Sequence, residues 1–305
     1  MKTIAILTDF SDEALNAIEF AVALCRHLQG RLIFLHVFHF SSQLPGTTSS
    51  VSGLNWADPT LYTPNDVEVD HDRERISNEK LWDLVENVRR INPDLEVQSE
   101  LLRGVGMDTA LDFVKAHAID LIVMGTKGAD SALDRWAGTS ASYVMNHASC
   151  PVLAVPRNSV FRGFNKIVYA TDPYHEADWH LRELQALATT LRAEVTVLYV
   201  QEDPDSQQSL DRWTAFTSKW ELEVPALTFA RVFGDKMAVS IEEYAQTKQA
   251  DLLVVAKQNR SFLDGLFSSS PSDRLVFDNV LPVLSLPALD EKKVTQTNFF
   301  SSAVA

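Results

Sequence analysis

DLIVMGTKGADSALDRWAGTSASYVMNHASCPVLAVP, residues 120–156, reads as a strand, a glycine-containing segment, a helix and a second strand in direct succession. LIVM at 121–124 and VLAV at 152–155 are short runs, apolar on both faces, as strands covered by helices on both sides require. Residues 139–147 have helical character between them. Working outward, TIAIL at 3–7 and LIFLHV at 32–37 read as strands. Apolar or small residues at Ala14, Ile18, Ala21, Val22, Cys25 and Leu28 mark a helix over 12–28 that Gly30 stops. A helix is predicted over 77–92, a strand over 95–102 and a helix over 107–117. Strands alternating with helices predict an α/β fold with a parallel sheet.

The same order then recurs. KIVYAT leads to Asp172 as TIAILT leads to Asp9, and VLYV at 197–200 matches FLHV at 34–37, both at an offset of 163. DLLVVA at 251–256 matches DLIVMG at 120–125, and PVLSLP at 282–287 matches PVLAVP at 151–156, both at an offset of 131. Two consistent offsets predict a tandem duplication. Their difference, 163 − 131 = 32, mostly reflects an insert near 39–72, rich in Ser, Thr, Pro and Gly and read as a partly ordered surface flap. The expected layout is one domain over 1–157, a polar hinge, a second domain over 164–288 and a flexible tail over 289–305.

Bulk composition agrees. At roughly 150 residues per domain, 305 residues suggest two domains. A net charge of −14 argues against wrapping nucleic acid or coating an anionic membrane. No segment approaches about 18 apolar residues, and MKTIAILTDF lacks the apolar core and cleavage site of a secretory leader. Two cysteines far apart, Cys25 and Cys150, fit reduced thiols better than a disulfide framework, so a cytoplasmic location is expected.

Gly125, directly after LIVM, sits where open parallel sheets bind ligands, at the carboxyl ends of strands. Gly125-x-x-Gly128 can turn tightly and bare its N–H groups. Gly138-Thr139-Ser140 then opens a helix, whose N-terminus suits phosphate. On spacing alone, the glycines either hold a phosphate or only make turns, and Thr139 either donates to it or only caps the helix. His36-x-x-His39 lacks a third ligand at metal spacing and reads as a solvated or packed pair. Gly104-x-Gly106 reads as a turn, and Cys150 as a small buried residue.

The combination G-x2-G-x9-G-[ST] after DLIVMG, with His147-Ala148-Ser149-Cys150-Pro151-Val152-Leu153 downstream and Thr8-Asp9-Phe10-Ser11 near the start, resembles the universal stress protein family. The resemblance covers nearly the whole chain as two copies. It implies two doubly wound five-stranded parallel-sheet domains, Rossmann-like and adenine nucleotide alpha hydrolase-like. It also implies that the last strand of each copy pairs with its counterpart, with a homodimer of the whole chain left open. In its ATP-binding branch it implies a nucleoside at Thr8 and Asp9, the base by the backbone of Val37, and Met124 at the same site. Gly125, Gly128, Gly138, Thr139 and Ser140 would hold the phosphates, with Lys127 adding charge and Mg2+ a candidate companion of the ATP. The second copy carries Ala256, Asn259 and Ser269 in place of the three glycines, followed by Ser270. No residue in the motif is an evident general base for water attack. The expected function is a stress-response regulator binding one ATP or ADP in its first domain, at most a slow ATPase. The alternative is a nucleotide-free scaffold acting through protein contacts.

Overall fold

The computed structural model describes residues 2–39, 64–126, 139–174, 176, 178–256 and 281–288. The first half runs β1 (Thr3–Leu7), α1 (Asp12–His27), β2 (Arg31–Phe38), α2 (Pro64–Ile91), β3 (Val97–Arg103), α3 (Asp108–Ala116), β4 (Leu121–Thr126), α4 (Thr139–His147) and β5 (Val152–Pro156). The second runs β6 (Lys166–Thr171), α5 (Asp178–Leu191), β7 (Glu194–Gln201), α6 (Gln207–Glu223), β8 (Leu227–Phe233), α7 (Met237–Lys248), β9 (Leu252–Ala256) and β10 (Val283–Leu286).

All ten strands form one sheet, in the order β3-β2-β1-β4-β5-β10-β9-β6-β7-β8. Each half is a parallel five-stranded unit. The halves join where β5 and β10 pair antiparallel, with Leu153 opposite Leu284 and Ala154 opposite Val283. Both strands are fully buried, so their apolar sequences are explained by helices above and below and a strand on each side. The two nearly identical runs therefore cover each other's edge, which left open would be an aggregation hazard. The core is continuous across this seam. Leu24 and Leu28 of α1, Leu153 of β5, Leu187 and Leu191 of α5 and Leu284 of β10 surround one small apolar gap.

One expectation needs correction. The helix read as 77–92, after an insert of 39–72, begins at Pro64 and runs 28 residues. Residues 40–63 of the insert lie outside the described residues. Helix α2 lacks an apolar stripe in its first half, so hydrophobic periodicity misses it there. Charge pairs mark the stretch instead: Arg73 with Asp70, and Arg75 with Asp72 and Glu79. Each exposed pair contributes only about 0.3–0.5 kcal/mol. The stronger anchor is tertiary: Arg103 of β3 meets Glu74, whose side chain is buried, at 2.5 Å. Proline suits a helix start because its missing N–H would have had no partner there.

Candidate functional site

In the first half the strand order reverses between β1 and β4, and a crevice opens at the carboxyl ends of β1, β2 and β4. It is a cavity of about 360 Å³, and Thr8, Asp9, Val37, Met124, Gly125 and Ser140 all line it. Ser11, Glu13, His36, His39 and Met107 line it as well. Of the other residues expected there, Lys127, Gly128 and Gly138 lie outside the described residues, and Thr139 begins α4.

The turn after β1 is built by local hydrogen bonds. Phe10 adopts φ 65°, in the left-handed region, which costs a non-glycine residue roughly 1 kcal/mol or more. Two features offset this. The Phe10 N–H donates to Thr8 Oγ1 at 3.1 Å. The Phe10 ring packs on His36 at 4.4 Å between centroids, with Lys80 Nζ 5.2 Å from the ring centre. The turn leaves Asp9 exposed at the mouth of the cleft. Asp9 Oδ1 accepts from both the backbone N–H and the hydroxyl of Ser11, at 3.0 and 2.5 Å. Ser11 in turn caps α1 by accepting from the Ala14 N–H. One carboxylate oxygen of Asp9 is thus fixed locally.

Gly125 has a structural reason of its own. A methyl group built there would lie 2.6 Å from the carbonyl carbon of Glu13, closer still to its oxygen, and 3.0 Å from the Ala14 nitrogen. The first turn of α1 crosses so close to the end of β4 that only glycine fits. The counterpart of Gly125 in the second half is Ala256. Helix α1 begins three residues after Asp9 (12 − 9), whereas α5 begins six after Asp172 (178 − 172). Gly104, read as part of a turn, is also set by packing, since an added methyl would lie 2.9 Å from Thr109 Cβ.

His36 and His39 were read as a packed or solvated pair, and their position in the cleft was not anticipated. Each is held through Nδ1 by a backbone carbonyl, Thr8 for His36 and Gly104 for His39, both at 2.8 Å. Among the described residues no group of three His, Cys, Asp or Glu side chains is arranged to hold a metal ion. Cys25 and Cys150 are buried, and burial pushes both thiols up to about 12. Neither supplies a thiolate near neutral pH.

The corresponding region of the second half is built differently. Glu176, 163 residues after Glu13, turns inward with 5% of its side chain exposed. It accepts from Tyr169 at 2.7 Å, from the Thr171 hydroxyl, and from His180 Nδ1 at 2.8 Å. The first half has Ile6 and Ala17 at the positions of Tyr169 and His180. Burial and the Glu176 charge hold the Tyr169 hydroxyl well above the usual phenol range. Over the same end of the sheet, Arg212 of α6 donates to the Pro173 carbonyl at 3.2 Å and lies 5.4 Å from the Tyr174 ring centre.

The model of the universal stress protein family matches residues 1–156 and 163–284. The universal stress protein YxiE of Bacillus subtilis is 28% identical over 152 residues, which is 49% of this chain and 95% of that protein. The universal stress protein MJ0531 of Methanocaldococcus jannaschii is 25% identical over 158 residues, 51% of this chain and 82% of that one. A solved universal stress protein from Archaeoglobus fulgidus matches the whole chain, with a TM-score of 0.62 at 13% identity over 95% of this chain and 97% of that chain. A second, described as a putative universal stress protein from Pseudomonas aeruginosa, gives 0.54 at 16% identity over 99% and 98%. These two likenesses show the fold. Taken with the family match over both halves, they leave one conclusion: the chain belongs to the universal stress protein family, with two of its domains in tandem.

Proposed function

We propose that the first domain binds one adenine nucleotide, ATP or ADP, and that the protein acts as a nucleotide-responsive stress regulator rather than as an enzyme. The observation that carries this reading is the cleft. Thr8, Asp9, Val37, Met124, Gly125 and Ser140 come from the turn after β1 and from β2, β4 and α4, yet all line one cavity at the switch point of the sheet. Asp9 offers its second oxygen to a ribose hydroxyl. The backbone of Val37, at the end of β2, offers peptide donors and acceptors to a base edge. The start of α4 supplies unpaired N–H groups and the positive end of a helix dipole for phosphate. Mg2+ enters with the nucleotide as its counter-ion.

The test uses Gly128, the second glycine of the motif, which lies outside the described residues. Gly128→Val places a branched side chain where bare backbone would meet phosphate. Calorimetry with ATP should show binding to the unmodified chain and a loss of at least about tenfold in the variant, the cost of roughly 1.4 kcal/mol, with the circular dichroism spectrum unchanged. Equal affinity in both proteins would remove the phosphate loop from the reading.

A further inference from the structure

Among the described residues that line the cleft, the carboxylates are Asp9 and Glu13, and there is no lysine or arginine. An anionic nucleotide therefore meets negative charge at the mouth. Part of the compensation comes from backbone N–H groups. The remaining groups able to supply positive charge from the described lining are two imidazoles.

Their chemistry is fixed by their anchors. A carbonyl oxygen can only accept, so Nδ1 of each ring carries the proton donated to Thr8 or Gly104. In the neutral form, Nε2 of each ring is then the unprotonated atom. Among the described residues neither Nε2 has a hydrogen-bond partner, and neither is a buried orphan. Both rings border the cavity, because His39 stands one residue beyond the end of β2, where strand alternation has stopped.

We infer that His36 and His39 are ligand-binding residues of this cleft, and that His36 takes up a proton at Nε2 when an anionic nucleotide binds, so that affinity rises as pH falls. The inference rests on the nucleotide-binding reading above. Burial lowers the His36 pKa below the ordinary value. The charged groups that reach His36 are Asp9 on the turn after β1, Lys80 on α2 and His39 beyond the strand end. Asp9 favours the imidazolium, while Lys80 and His39 oppose it. Glu13 of α1 lines the same cavity. A bound polyphosphate adds negative charge to that balance and favours the His36 imidazolium. The sign follows from linkage. Affinity is flat above the bound-state pKa, rises as pH falls through it, and levels off below the free-state pKa. Each histidine whose pKa rises by about one unit contributes about tenfold.

The experiment is calorimetric titration with ATP from pH 8 to pH 5.5, on the unmodified chain and on the double variant His36→Gln, His39→Gln. Protonation of ATP itself is common to both proteins, so the difference between their profiles isolates the histidines. The unmodified chain should gain about tenfold or more relative to the variant on going to the acid end. Parallel profiles would overturn the inference and leave nucleotide binding standing. Absence of binding by the unmodified chain at every pH would overturn both. Should the variant not fold, the imidazole resonances of His36 in the unmodified chain provide the same test. Its pKa must rise on saturation with ATP, and an unchanged value would contradict the inference.

Discussion

Titration of the full-length chain with ATP is expected to saturate at one nucleotide per chain, with the second domain silent at concentrations that fill the first. Duplication alone would predict two sites. Three differences oppose the second. Asn259 and Ser269 stand where the first copy has Gly128 and Gly138. Each replacement adds a side chain where glycine would bare its N–H to a phosphate, and a loss of roughly 1.4 kcal/mol for each is about tenfold in affinity apiece. The turn at Asp172 keeps the backbone bond, its Oδ1 accepting from the Tyr174 N–H as Asp9 Oδ1 does from Ser11, but Tyr174 brings no hydroxyl like that of Ser11 to the carboxylate, and α5 starts three residues later relative to its aspartate than α1. Finally, Arg212 and Tyr174 lie together over the end of the sheet beside Asp172. Together these put the second domain roughly a hundredfold or more below the first. Ala256 is left out of this estimate, because the approach of α1 already accounts for glycine at 125. A calorimetric stoichiometry of two equivalent sites would contradict the argument.

Glu176→Ala should destabilise the second domain by about 2–5 kcal/mol, because it removes the shared acceptor of several buried donors and each donor left unsatisfied costs about 1–3 kcal/mol. The carboxylate is the shared acceptor for Tyr169, Thr171 and His180, and the His180 side chain is fully buried. Alanine leaves three donors without partners and opens a void, and water cannot replace the lost oxygens at that depth without a path in. Glu176→Gln keeps one acceptor oxygen and should cost less. Urea unfolding monitored by tryptophan fluorescence is suited to the measurement, because Trp179, Trp213 and Trp220 are all buried in this domain. ATP binding by the first domain should persist under native conditions. A loss below about 1 kcal/mol would mean that the cluster does not hold the domain together.

The cluster also shows what a sequence hides. Tyr169 sits in a strand, and Glu176 and His180 lie in EADWHLRELQ, where polar residues on an amphipathic helix read as a solvated face. Nothing local reveals that Glu176 turns inward, because its partners lie five and seven residues upstream across a turn. The strands, by contrast, were legible, since LIVM, VLAV, LLVV and VLSL are apolar on both faces and only a doubly covered sheet accommodates them. The pairing of β5 with β10 was legible for the same reason: two nearly identical buried edges needed a partner. Helix α2 was half legible, its first turns being held by charge pairs and by Arg103 rather than by an apolar stripe. Of the residues that line the cleft, Gly125 was legible from its place directly after a strand, and Asp9 from the family resemblance. The structural need for Gly125 was not, because it depends on how closely α1 passes. The histidines were visible as a pair, but their place depends on where β2 ends.

The central claim is that the cleft of the first domain is the nucleotide site. A crystal structure of the full chain grown with a non-hydrolysable ATP analogue tests it most directly. Density for the ribose at Asp9, the base at the backbone of Val37 and the phosphates running from Gly125 towards Ser140 is the predicted result. A nucleotide bound beside Asp172 instead, or a cleft that stays free of the analogue at saturating concentration, would contradict it.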